Sequence, residues 1–443
     1  MARLFGTDGI RGIANVDLKP TTAYALGRAV AHHLVGKGGA IVVGQDTRRS
    51  GDMFVSAIAA GATSLGVDAY IVGVVPTPAL AYLAGRGTFE AGIMVSASHN
   101  PADDNGLKVL DRAGLKLDET IEDELERLIW RTEELGGLTN AEIGRTIDAG
   151  ALLHEYVDHR VGLAETIPAR DLRVVLDCAN GSGCAVGPVI LEATGAQVQV
   201  IHADPDGVNI NVRCGATAPA SLAETVLVTG ADVGFALDGD ADRLIAVDSA
   251  GQVVDGDQVL GILALDRLAR GELPGGALVV SVLSHGGLQT ALAAAGGHVV
   301  RTPVGDKYIL EGMQVSGASL GGEKSGHVIV LEHTTSGDGI VTALEVLRVM
   351  CRRSAGLGEL AEAIPMLPQQ QRAVKARHKD QWEGDAALQR AIAEANARLE
   401  GGRILVRPSG TEPALRVMVE GPDEALVIEL ADTLAALAGE RLN

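Results

Sequence analysis

The chain has 443 residues, with 37 Lys or Arg against 57 Asp or Glu, for a net charge of −20. At about 150 residues per domain that length suggests about three domains, and an apolar share of 47% is enough for large cores. The charge repels nucleic-acid phosphates and anionic lipid, 4 Phe, 2 Trp and 5 Tyr offer little for stacking on single strands, and no apolar run nears a membrane span, so neither nucleic acid nor membrane is an expected partner.

Short β-branched runs alternate with Ala/Leu-rich helical stretches, the rhythm of an α/β fold with mostly parallel sheets. The first block predicts strands at 41–43, 70–75 and 92–95 and helices at 53–65 and 78–83. The strands are continuously apolar, as expected when both faces are covered. A second block opens at 172–176 and continues through 197–201 and 233–237. A third has strands at 278–283, 299–301 and 319–320. Residues 366–371, with Pro365 before them and Pro368 among them, read as a linker. Beyond it come a helix at 382–399, strands at 403–406 and 415–420, and a closing helix. This divides the chain at 1–155, 156–255, 256–367 and 368–443. Three segments, 91–100, 231–242 and 318–327, each run from Ala through a short strand into a small, polar loop, a weak internal repeat. Such loops leave the carboxyl ends of strands, where open α/β sheets place ligands.

Four loops carry chemistry. In Ser96-Ala97-Ser98-His99-Asn100-Pro101 a serine among small residues is free to attack or to carry a group. His99 could orient it or add positive charge, and Lys108 closes the excursion after Pro101. An ordinary Ser/Asn turn is the plain alternative. In Asp238-Gly239-Asp240-Ala241-Asp242-Arg243 three carboxylates alternate along an extended segment and point to one side. Like charges that close call for a cation, and oxygen-only ligands select Mg²⁺ or Ca²⁺. A solvated acidic turn is the alternative. In 321–327 two glycines precede Glu323 and Ser325, which can hydrogen-bond vicinal hydroxyls, and His327 can act as acid or base; a hairpin with a surface glutamate and a packed histidine is the alternative. Arg407, Ser409, Gly410 and Thr411, followed by Arg416, form an anion nest suited to a phosphate monoester, or a β-turn with incidental arginines. Arg3 to Gly12, with Thr7 and Arg11, and 304–307 are further Gly-rich, charged turns.

In this order, and over the whole chain, the four loops closely resemble those of the α-D-phosphohexomutase superfamily. The opening FGTDGIRG, the SASHNP serine loop and the tail SGTEPALRVMVEG look most like its amino-sugar branch. The resemblance implies three related mixed-sheet α/β domains plus a smaller C-terminal α+β domain around a central cleft. It implies interconversion of glucosamine 6-phosphate and glucosamine 1-phosphate, on the way to UDP-N-acetylglucosamine and peptidoglycan, through a phosphoserine and a 1,6-bisphosphate. Ser98, rather than Ser96, would carry the phosphoryl group. Asp238, Asp240 and Asp242, with an oxygen of phosphorylated Ser98, would hold one Mg²⁺. Arg11, Lys108 and Arg243 would surround the moving phosphate, with His99 and His327 as further catalytic candidates. Glu323 and Ser325 would read the sugar. Arg407, Ser409, Gly410, Thr411 and Arg416 would grip the phosphate that is not reacting. A glucosamine or glucose 1,6-bisphosphate would serve as activator.

Two positions depart from the branch: Lys324 stands where Gln is common, and Leu283-Ser284-His285-Gly286 replaces a Met-Ser-Asn stretch. Lys324 leaves room for a sister mutase acting on glucose or mannose phosphates. Two other classes compete: a Mg²⁺-dependent sugar phosphatase with an aspartate nucleophile, and a sugar-phosphate sensor without turnover. The scattered Cys178, Cys184, Cys214 and Cys351 form no CxxC pair and read as reduced thiols. Gly6, Asp8, Gly9 and Arg11 interrupt any secretory leader. A cytoplasmic enzyme acting on a small-molecule sugar phosphate is expected, and a homodimer is compatible with the sequence.

Overall fold

The structure is a computed structural model, described here for residues 3–6, 8–409 and 413–443. The first unit builds a six-stranded sheet from β1 (Ile10–Ile13), β2 (Ala40–Gln45), β3 (Asp68–Val74), β4 (Ala91–Val95), β5 (Asp104–Asp111) and β6 (Thr146–Asp148), in the order β1-β5-β4-β2-β3-β6. Strands β4, β2, β3 and β6 are parallel; β5 runs back against β4, and β1 against β5. Strand alternation explains the unbroken apolar runs. Ile41 and Val43 face a core with Leu26, Phe54 and Ile58, while Val42 faces the opposite core with Leu80 and Met94.

The second sheet contains β7 (Arg173–Asp177), β8 (Gln197–Ile201), β9 (Val233–Leu237), β10 (Leu244–Asp248) and β11 (Val253–Val254), in the order β11-β10-β9-β7-β8. The third contains β12 (Ala277–Ser281), β13 (His298–Thr302), β14 (Leu320–Gly322) and β15 (Val328–Val330), in the order β13-β12-β14-β15. In all three, a strand that ends in a polar loop is followed by an antiparallel return: β4 to β5, β9 to β10, β14 to β15. The internal repeat is therefore structural, and each sheet is mixed, its parallel strands joined at one edge by an antiparallel return. The tail is antiparallel, β16 (Gln369–Lys375), β17 (Arg403–Pro408) and β18 (Ala414–Glu420) in the order β16-β18-β17, with helices Ala386–Arg398 and Glu424–Leu442.

One apolar core runs through the first three units, from Leu80 through Leu237 to Leu344, whereas the tail has its own around Leu388, Val417 and Leu430. Asp338 pins the shared core. It N-caps helix Gly339–Arg353 and takes the Tyr156 hydroxyl at 3.0 Å and buried Arg160 at 3.2 Å. Among the described residues no helix is long and apolar enough to cross a membrane.

The structure corrects several boundaries. Residues 104–111 are strand β5, not the continuation of the serine loop, so Lys108 sits on a strand facing β4. The linker read at 366–371 already contains the start of β16, because Gln369 pairs with Glu420. The tail helix begins at Ala386 rather than 382, since the Asp385 side chain caps the amides of Ala387 and Leu388. The cut at 155–156 falls inside helix Leu153–Ala164, while the cut at 255–256 falls on the Asp255 N-cap of the next helix.

Candidate active site

The three return loops and the tail converge on a cleft of about 1130 Å³. Ser98 lies beneath its floor, fully buried, with φ at 53°. Its Oγ donates to Asp238 Oδ2 at 2.6 Å and lies 3.3 Å from His99 Nδ1. Ser96 has a different part: its hydroxyl accepts from the Ser98 amide at 2.9 Å and donates to buried Asp46 at 2.6 Å. Ser96 thus braces the backbone of Ser98 from behind.

The serine loop is fixed by a group that the sequence did not single out. Buried Arg48 pairs with Asp46 at 2.9 Å and donates to the carbonyls of Ser98 (2.9 Å), Asn100 (2.8 Å), Asp104 (3.0 Å) and Pro101. From the second unit, Asn211 Nδ2 donates to the Ser98 carbonyl at 2.9 Å. Gly239 is the reciprocal fit, since a Cβ there would stand 2.6 Å from the Ser98 carbonyl oxygen.

Asp238, Asp240 and Asp242 follow β9, and their ligand atoms lie within 4.8 Å of one another. All three are buried. Asp240 Oδ2 takes Thr77 Oγ1 at 2.5 Å and Lys108 Nζ at 2.7 Å, but among the described residues Asp240 Oδ1 and Asp242 Oδ1 have no hydrogen-bond partner. Burial, with the charges of Asp242 and Asp240, pushes the Asp238 carboxyl well above its ordinary range. An oxygen-only trio with orphaned, mutually repelling oxygens fits a hard divalent cation. Burial opposes the charge on Lys108, but Asp240 and Asp8 outweigh it and raise its pKa.

Histidines divide by environment. Burial, then Arg243 and Arg11, hold His99 down at about 4, so its imidazole is neutral at pH 7. Burial also works against charge on His327, but Asp242, 3.5 Å away, raises its pKa overall. The other nitrogen of His327 accepts the Gly337 amide at 3.1 Å. His327 is thus both a packed histidine and a part of the cleft wall.

The remaining residues fall as follows. Arg11, on β1, reaches the Ala97 carbonyl at 3.2 Å and pairs with Asp8. Arg243 lines the floor beside Asp242. Glu323 lines the cleft and accepts the Gly305 amide at 3.0 Å. Ser325 occupies the same turn, half-buried, its Oγ without a hydrogen-bond partner among the described residues, and the wall runs through Glu323 and His327 instead. Lys324 is engaged elsewhere, with Gln369 at 3.3 Å and Asp255 at 3.8 Å. In the tail, Arg407 and Arg416 stand directly opposite on β17 and β18, and both line the cleft with Ser409. Two guanidiniums placed side by side suit a charge-assisted grip on an anion. Burial and Arg416 together depress the Arg407 pKa. Thr7, Gly410 and Thr411 lie outside the described residues.

Two more cations were not anticipated. Arg301 lines the cleft and is tied to the Ser284 carbonyl at 2.8 Å. Lys116 bridges Asp8 and Asp306, the latter at 2.5 Å, so it links the first unit to the third. Each is a single cation on a turn or strand, a pattern that sequence alone does not mark.

Fold and site together define a phosphohexomutase architecture. Profiles of the phosphoglucomutase/phosphomannomutase family match as alpha/beta/alpha domain I at residues 2–136, domain II at 154–251, domain III at 255–367 and the C-terminal domain at 371–437. The chain belongs to this family. It is 50% identical over 441 residues to the phosphoglucosamine mutase of Moorella thermoacetica, covering 99% of this chain and 98% of that one. It is 46% identical over 443 residues to the phosphoglucosamine mutase of Carboxydothermus hydrogenoformans, covering 99% of each. A phosphoglucomutase/phosphomannomutase family protein of Burkholderia thailandensis superposes with a TM-score of 0.81 at 26% identity, covering 100% of this chain and 98% of that one. An N-acetylphosphoglucosamine mutase of Aspergillus fumigatus, solved with GlcNAc-6P and magnesium, shares the fold at a TM-score of 0.70 and 19% identity, over 99% and 96% of the two chains.

Proposed function

We propose that the chain is a phosphoglucosamine mutase, interconverting glucosamine 6-phosphate and glucosamine 1-phosphate in the supply of UDP-N-acetylglucosamine for peptidoglycan precursors. The observation that carries this is the Ser98 hydroxyl, buried and 2.6 Å from the first of three clustered aspartates, at the base of a cleft whose tail wall is arginine. In the first half-reaction the substrate hydroxyl at C1 attacks the phosphorus of phosphorylated Ser98. The bond to Ser98 Oγ breaks, a 1,6-bisphosphate forms, and the proton lost by the C1 hydroxyl is matched by the one that Ser98 Oγ gains. This intermediate turns end for end, and Ser98 Oγ then attacks the 6-phosphoryl group; its bond to the C6 oxygen breaks, that oxygen takes up the proton the serine gives up, and the 1-phosphate is released. His99, a neutral imidazole 3.3 Å from Oγ, is placed to take the serine proton in that step.

Asp238, Asp240 and Asp242, with an oxygen of phosphorylated Ser98, would hold Mg²⁺, which when bound supplies charge that offsets the oxygens of the moving group. Lys108, Arg11 and Arg243 add to that charge from the protein. Phosphoryl transfer asks chiefly for positioning and electrostatics, and the buried floor keeps water from the phosphoenzyme. Arg407, Arg416 and Ser409 would hold the other phosphate, reading charge rather than sugar orientation, so that either end of the intermediate is accepted. Glu323 would read hydroxyls. Because Lys324 is occupied by Gln369 and Asp255, it is not set to select the sugar, which supports the amino-sugar reading. We further propose a cytoplasmic enzyme, activated by glucosamine or glucose 1,6-bisphosphate when Ser98 is unphosphorylated, with a homodimer as the form to be tested.

A peptide map before and after exposure to substrate tests the mechanism: phosphate on Ser98 is expected, and its absence with continued phosphate release would establish a phosphatase instead. Comparing kcat/KM on the 6-phosphates of glucosamine, glucose and mannose tests the substrate. Preference for glucose or mannose would overturn it.

A further inference from the structure

A second group of metal-ligating side chains lies on the middle unit, apart from the aspartate trio. Asp177 ends β7, and His202 directly follows β8, its parallel neighbour. Cys214 comes from the long loop between β8 and helix Ala220–Thr229. Asp177 Oδ, His202 Nδ1 and Cys214 Sγ all lie within 4.8 Å of one another. Asp177 and Cys214 are fully buried, and the His202 side chain is 31% exposed, which leaves an entry path from solvent.

The donors are held as ligands usually are, by partners on their far sides. Asp177 accepts the Ala179 amide at 2.9 Å through one oxygen and the Gly215 amide at 2.8 Å through the other. Asn180 Nδ2 lies 3.9 Å from Cys214 Sγ. His202 Nδ1 is buried and 3.1 Å from Asp177 Oδ1, yet it has no aligned hydrogen-bond partner among the described residues. A second thiol, Cys184, lies on the same wall, with its Sγ 3.9 Å from the His202 carbonyl.

We propose that Asp177, His202 and Cys214 form a site for a divalent cation of the zinc class. Its chemistry differs from that of the aspartate trio. A thiolate and an imidazole select a borderline-soft ion over Mg²⁺, and three protein ligands leave one position for water. Tetrahedral zinc sets its donors roughly 3.3–3.8 Å apart, so the Asp177–His202 pair, at 3.1 Å, already stands at about that spacing and the sulfur would move in by about an ångström at most. On binding, the Cys214 thiol releases its proton to solvent and its sulfur forms the bond to the ion; no electron is transferred. The consequence reaches the serine loop. Asn211, three residues before Cys214, donates to the carbonyls of Ser98 and Asn100 at 2.9 and 3.2 Å. A cation at Cys214 therefore anchors the segment that steadies the reactive serine.

The test is a Co²⁺ titration of the full-length protein in excess Mg²⁺, which keeps the trio occupied. A thiolate-to-cobalt charge-transfer band saturating at one equivalent, and bleached by Zn²⁺, is expected. His202→Gln and Cys214→Ser should each lower Co²⁺ affinity by about tenfold or more, with far-ultraviolet circular dichroism unchanged, while Asp240→Asn keeps the band. If Cys214→Ser does not fold, His202→Gln, at the partly exposed ligand, decides alone. Absence of the band in the parent protein, or a band that survives His202→Gln and vanishes in Asp240→Asn, overturns the site.

Discussion

Replacing Arg48 by Met asks how much of the serine loop hangs on one side chain. The guanidinium is fully buried, pairs with equally buried Asp46 at 2.9 Å, and donates to four carbonyls between Ser98 and Asp104. Its loss leaves a buried carboxylate without its counter-charge, which costs about 3–5 kcal/mol. For a unit of roughly 150 residues that lowers the melting temperature by about 10 °C. The freed loop no longer fixes Ser98, and a displacement of about 1 Å at a reacting group costs about a hundredfold in kcat. Burial already raises the Asp46 carboxyl against the opposing charge of Arg48. A raised acid favours the fold below its unfolded pKa and loses that advantage as pH rises, so Arg48→Met should destabilise more steeply with increasing pH. Calorimetry between acidic and alkaline pH, with turnover measured in parallel, reads both effects. Adding Asp46→Asn should recover much of the melting temperature but not the turnover, because the charge is gone while the carbonyls remain unheld. Arg48→Lys should not restore kcat, as an ammonium cannot span the fork. Near-native melting and turnover in Arg48→Met would refute the reasoning.

Asp240→Asn should abolish activity and Mg²⁺-dependent stabilisation with the fold intact; full turnover without divalent metal would count against the trio, and a metal titration followed by thermal shift separates the cases. Arg407→Ala should raise KM about tenfold or more with a smaller effect on kcat, since it removes a contact made before and during transfer. Gly239→Ala forces a methyl to 2.6 Å from the Ser98 carbonyl oxygen, and overpacking of about 1–3 kcal/mol should appear as lost stability together with lost kcat. Burial and the neighbouring Asp255 raise Asp257 to about 6, so its ionisation weakens the fold as pH rises from about 4 to about 6, on the order of 3 kcal/mol in all. Asp257→Asn should flatten that part of the stability profile, as urea melts at stepped pH would show.

Contiguity decided what could be read in advance. The Asp238 to Arg243 run and the Arg407 loop announce themselves because the chemistry lies within a few residues on a strand end. Arg48, Asp46 and Asn211 do not, because they act on backbone carbonyls that other segments bring to them. Strand β5 was hidden because Asp104, Asn105 and Gly106 carry turn chemistry, and only pairing with β4 and β1 makes them extended. Trp382 and its neighbours are helix-compatible and form a short 3-10 turn of their own, whereas capping by Asp385 sets where the tail helix begins. Mixed sheets followed the same rule: parallel strands show as apolar runs, but the direction of a return strand depends on what it pairs with.

The register that sets Arg407 opposite Arg416 brings both guanidiniums to the cleft from adjacent strands of one sheet. An anion gripped by both is therefore held by the rigid part of the tail rather than by a loop. Added salt screens the attraction of such a pair for a charged ligand, so the KM for a sugar phosphate should rise with ionic strength. The stability of the tail rests on its own apolar core around Leu388, Val417 and Leu430 and should change little, so one solution variable separates the grip from the fold.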